Sequence, residues 1–117
     1  MVGTDPNAEE SAAARLSVAA DRLVNRVGHW TPARWAAPVG LTEGAPIRAD
    51  IMYGLVQALA DQAADAEHRP PRQVPRLDND LALPDQLRVM VADLLIAAPP
   101  ADLALAASAV ESTAASL

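Results

Sequence analysis

The sequence predicts a single all-α domain, a four-helix bundle with two long ordered loops and a C-terminal helical hairpin, and three observations carry that prediction. Apolar residues recur at steps of three and four in four separate stretches, prolines fall between those stretches, and no segment shows the alternation of a half-buried strand. At 117 residues, the chain spans one ordinary domain, 1–117, with no room for a second core.

The first helix is expected to start near Pro6, with Asp5 as N-cap or Asn7 and Glu10 as a capping-box variant. It should end at Gly28 in the C-prime position and bury Leu16, Ala20, Leu23 and Val27. A second helix, opened by Pro46, sets Ile47, Ile51, Leu55 and Leu59 four residues apart, with Met52 and Val56 widening the face. Asp61, Asp65 and Glu67 near its C-terminal end oppose the helix dipole, so fraying is expected there. Pro84 and Asp85 suit the first turn of a third helix, whose core face would be Leu87, Val91, Leu94 and Leu95, and Pro99-Pro100 stops it. The last helix, from about Pro100, carries Leu103, Ala106, Ala107 and Val110. Only the proline pair separates these two, which is why they are expected to pack as a hairpin.

Alanine is the commonest apolar residue and buries far less area than leucine or phenylalanine, so the core should be thin and stability should lean on self-association. A net charge of −6 is the opposite of the footprint that phosphate neutralisation needs, and no positive helix face stands out; nucleic acid is not an expected partner. There is no cysteine, which excludes disulfides and thiolate chemistry. The apolar run Val89 to Val110 is broken by Asp93, Pro99, Pro100 and Asp102, so no membrane span is expected. The first residues lack a secretory signal pattern, and a cytoplasmic protein is the default expectation.

Two connections, roughly Gly28 to Ala45 and Arg69 to Leu83, exceed the usual two to eight residues between helices, and long loops often carry function. The first contains Gly28-His29-Trp30-Thr31-Pro32-Ala33-Arg34-Trp35, with both tryptophans of a chain that has no phenylalanine and one tyrosine. Thr31 can cap a short helix with Pro32 at its first position, which gives Trp30 and Trp35 the spacing of a hydrophobic staple. Alternatively an exposed indole beside Arg34 would make a binding hot spot, so Trp30, Arg34 and Trp35 are the leading interface candidates. In the second connection, Glu67 to Arg76 mixes three prolines with Arg69, Arg72 and Arg76 and reads as a semi-rigid, polyproline-like arm that spaces two helices or presents Arg72 and Arg76 to an acidic group. Its prolines lack the spacing of an SH3 ligand.

Asp78, Asp80 and Asp85 gather oxygens that a hard divalent metal would accept, yet the EF-hand pattern fails at Ala82 and Leu83 and no glutamate closes the loop. A capped turn, with Leu77, Leu81 and Leu83 docking the loop, is the simpler expectation. No serine stands beside a histidine, and there is no phosphate-binding glycine loop; no catalytic residue and no cofactor is expected. In its alanine and arginine bias and in the GHWTPARW and RLDNDLALPDQL runs, the chain resembles small uncharacterised all-helical proteins of actinobacteria. That resemblance implies a cytosolic protein and carries no functional residue with it. The leading expectation is a non-enzymatic domain acting through protein–protein contact as a homodimer; the alternative is a small-ligand or divalent-metal domain using the Asp78/Asp80 loop.

Overall fold

In a computed structural model, the backbone is described for residues 6–117 and the side chains from residue 11 on, so the N-terminal cap expected from Asp5, Asn7 and Glu10 lies outside the described residues. The elements are α1 (Pro6–Val27), a short α2 (Pro32–Trp35), α3 (Arg48–Ala66), a 3-10 turn (Asp80–Ala82), α4 (Leu83–Ala97) and α5 (Pro100–Ser116). The protein is an all-α bundle of four long helices, and α1 buries Leu16, Ala20, Leu23 and Val27, the stripe its spacing dictates. On α3 the buried line runs through Ala49, Met52, Val56, Leu59 and Ala63, leaving Ile47 and Ile51 half-buried at its edge. Leu95 of α4, expected in the core, is 38% exposed because Leu87, Val91 and Leu94 already fill the inward arc.

Side-chain ties fix the helix directions. Arg48 at the start of α3 donates from Nε to the Leu117 carbonyl at 3.2 Å, while Gln62 near the end of α3 donates to the Asp102 carbonyl at 3.0 Å, so α3 and α5 are antiparallel. Arg15 reaches Ser108 and Glu111, and Arg26 reaches the Ala114 carbonyl, so α1 and α5 run the same way. Packing places α1 against α5 and α4, and α3 against α4 and α5.

The expected C-terminal hairpin needs correction: α4 packs chiefly on α3 and α5 chiefly on α1, although only Ala98 and Pro99 join them. Ala98 (ψ 142°) and Pro99 (ψ 164°) are both extended, the conformation that a following proline imposes, and they throw α5 away from α4. On α5, Ala106 and Ala107 are fully buried, and such small side chains permit a close approach.

The long second connection has a structural cause. α4 starts beside the beginning of α3 and runs along it in the same direction, so the chain must first travel back the roughly 28 Å length of α3. About nine residues at the polyproline rise of ~3.1 Å cover that distance. The register is visible in the bonds: the Gln57 amide donates to the Arg72 carbonyl (3.0 Å) and accepts the Val74 N–H (2.7 Å), Tyr53 donates its hydroxyl to the Val74 carbonyl, and Arg76 pairs with Asp50 (3.0 Å). As the arm advances from 72 to 76, its partners on α3 step back from 57 to 50. The arm is a strap bonded to the bundle.

Two helix ends differ from expectation. Gly28 does not adopt the left-handed C-prime conformation; a Cβ there would stand 2.9 Å from the Val24 carbonyl oxygen, and that close approach is what requires glycine. The end of α3, expected to fray, is closed instead: His68 at φ 56° takes the left-handed position, its N–H bonding the Asp65 carbonyl (3.1 Å) and the Arg69 N–H bonding that of Ala64 (2.9 Å), which is a Schellman motif.

Candidate functional site

The tryptophan corner is built as its spacing suggests and turned inward. Thr31 caps α2, its Oγ1 accepting the Arg34 N–H at 3.2 Å, with Pro32 in the first turn. The Trp30 and Trp35 rings then meet edge to face, with centroids 4.9 Å apart and planes at 62°. Trp35 is completely buried and Trp30 is 8% exposed. The Arg34 guanidinium lies 4.7 Å and that of Arg48 5.9 Å from the Trp30 ring centre, so cation–π contacts occupy its faces. Neither indole is left for a partner.

Arg76 is also engaged, stacking 5.0 Å from the Tyr53 ring centre and pairing with Asp50 and Asp80. Arg72 is exposed, but what it contributes to the strap is its carbonyl. Trp30, Arg34 and Trp35 are therefore joined in a fastening at the α2 corner and Arg76 in a separate one along the arm, while the Arg72 side chain stays exposed.

The aspartate loop is a capped turn. Asn79 Oδ1 accepts the Leu81 N–H at 3.0 Å and Asp80 takes Arg76 at 3.4 Å. Among the described residues no three carboxylate or imidazole groups converge to hold a metal, so Asp78, Asp80 and Asp85 do not form a ligand set. Of the leucines expected to dock this loop, only Leu83 is buried; Leu77 and Leu81 are each 45% exposed.

The open feature of the surface lies elsewhere, in a groove of about 630 Å³ between α1 and α5, which falls within the size range of ligand pockets. Its floor is apolar: Ala14, Val18, Ala19 and Leu23 from α1 and Ala114 from α5. Along it stand Arg15, Arg22 and Arg26, which share one face of α1 because they lie seven and four residues apart. Arg15 forks onto Glu111, from Nε to Oε2 at 3.3 Å and from its terminal nitrogen to Oε1, and also donates to Ser108 Oγ at 3.0 Å. The hydrogen bond from Arg15 holds the Glu111 carboxyl below the usual carboxylate range; desolvation opposes this, and the charges of Arg15 and Arg22 support it. Arg26 is tied to the Ala114 carbonyl at 2.7 Å. Among the described residues Arg22 has no carboxylate within salt-bridge distance, and it is exposed.

This positive face on α1 is what reading the sequence for net charge alone overlooks; its signal is the arginine spacing, visible beside the buried stripe. A second cleft, about 220 Å³ between α1 and α4, is bridged by Arg88 and Asp21 at 3.4 Å. No helix among the described residues is long and apolar enough to cross a membrane. Set against known protein families, curated proteins and solved structures, the chain matches none.

Proposed function

We propose that this domain is a non-enzymatic module that works by protein–protein contact, and that the partner is a second copy of the same chain docked through the α1–α5 groove. The observation that carries this reading is the groove itself: an apolar floor with Val18 47% exposed, on the helix pair that packs most closely, in a bundle whose core is largely alanine and medium-sized aliphatics. Apolar surface of this kind, rimmed by charge, is typical of an interaction site. An isologous contact of groove on groove would set Arg22 against Arg22, so the groove is expected to meet a different surface of the second copy. Nucleic acid is not proposed, since Glu111 sits within the arginine face and the chain carries −6 overall. The test is native mass by light scattering coupled to size exclusion over a dilution series: a dimer that dissociates on dilution supports the reading, and a monomer at every concentration rejects it.

A further inference from the structure

Among the described residues, two open features of the surface have complementary chemistry. One is the groove. The other is the tip of the loop between α2 and α3, Gly40–Gly44, where Leu41 is the most exposed of the large apolar side chains, at 106%.

A leucine wholly in solvent on a loose tail would mean little, but this one stands on a fixed mount. Pro38 and Ile47 form an isolated antiparallel bridge, with the Val39 N–H on the Pro46 carbonyl and the Arg48 N–H on that of Ala37, both at 3.0 Å. The Arg48 guanidinium donates to the Pro38 carbonyl at 2.9 Å while leaning toward Trp30, so the tryptophan corner anchors the stem. At the tip the Ala45 N–H bonds the Thr42 carbonyl at 3.1 Å, and Gly44 takes φ 79°, a conformation a side chain would strain. A loop held this way loses little conformational entropy when it binds. It presents one apolar knob, Leu41, and two residues on, one exposed carboxylate, Glu43.

Resting on the self-association reading above, we propose that the tip Gly40–Gly44 of each copy inserts into the α1–α5 groove of the other, Leu41 on the apolar floor beside Val18 and Leu23 and Glu43 against Arg22. The occupant is argued from charge and shape: among the described residues the groove offers an apolar floor and an arginine, Arg22, that feels Glu111 but has no carboxylate within salt-bridge distance, and the tip offers an apolar side chain and a carboxylate with no cation within that distance. A two-fold exchange makes the contact twice and closes on itself, so association stops at two copies.

The experiment compares the dissociation constant of the wild-type dimer, from the light-scattering dilution series, with those of Leu41→Asp, Arg22→Glu and the double variant Arg22→Glu/Glu43→Arg; all the altered side chains are exposed, and circular dichroism checks that each variant folds. Each single change is expected to weaken the dimer about tenfold or more, as removal of a central contact does, and the double variant to recover most of what Arg22→Glu loses. A wild-type monomer at every concentration overturns the self-association reading and this contact with it. A wild-type dimer whose dissociation constant is unmoved by both Leu41→Asp and Arg22→Glu overturns the tip-in-groove contact and leaves self-association standing. Growth of the wild type beyond two copies overturns the closed exchange.

Discussion

The tryptophan corner and the α1–α5 groove divide the labour of the molecule in the opposite way from the one their side chains suggest. The corner holds the largest aromatic groups of the chain, and all of that surface is turned inward: each indole faces the other, and two guanidinium groups cover Trp30. The groove is lined mostly by alanine and arginine, with Val18, Leu23 and Glu111 among them, and remains open. Local sequence explains the difference. A capping threonine with aromatics on either side at staple spacing makes its own contact within one turn, whereas a helix face of small residues can be covered only by something arriving from outside.

Removing an aromatic group from the closed region should produce the largest effect. Trp35→Ala is expected to destabilise the fold by about 3–5 kcal/mol, the range for truncating a buried aromatic, read as the shift in the urea midpoint. Val18→Ala in the groove should leave that midpoint within about 0.5 kcal/mol of wild type, as exposed positions do. If the two cost the same, the contrast between closed corner and open groove is wrong. The strap gives an intermediate case. Gln57→Ala removes one amide that serves the Arg72 carbonyl and the Val74 N–H, and should cost roughly 1–2 kcal/mol while raising hydrogen exchange at Val74 specifically. Unchanged protection at Val74 would mean that Tyr53 and Arg76 hold the arm without it.

The smallest effect concerns the groove's own charge. The Glu111 carboxyl is held low by Arg15, so its contribution to stability is present above the ordinary carboxylate value of 4.5 and disappears as pH falls through its depressed folded value. Glu111→Gln should therefore flatten the acid limb of a plot of urea midpoint against pH and leave the plot near pH 7 only slightly lower. An acid limb identical to wild type would show that the pair forms without affecting folding.

Much of the fold could be read from the chain because its signals are local. Proline punctuation and a period near 3.6 locate the starts of all four long helices to within a residue or two, although the small polar run Ser112 to Ser116, which reads as a frayed end, stays helical in α5, and the staple follows from Trp30, Thr31, Pro32 and Trp35 alone. What could not be read depends on long-range geometry. Pro99-Pro100 marks a break without saying where α5 goes, and the arm's composition gives its stiffness but not its bonds to Gln57 and Tyr53. Left-handed geometry falls on His68, where no glycine announces it, and is absent at Gly28, where one does. The groove escapes a sequence reading for a similar reason: Arg15, Arg22 and Arg26 register there only as charge, and their shared face becomes a site only when α5 supplies the opposite wall.

The parallel pairing of α1 with α5 also has a consequence for the order of events in folding. α1 ends at Val27 and its closest neighbour does not begin until Pro100, so the contact between them closes most of the chain into one loop. A helical protein of this size would ordinarily fold quickly through nearby contacts, but here the pair that packs most closely must be found late and across a long separation. Until α5 docks, the apolar stripe of Leu16, Leu23 and Val27 stays partly uncovered, and fragments stopping before Pro100 should be the aggregation-prone species of this sequence.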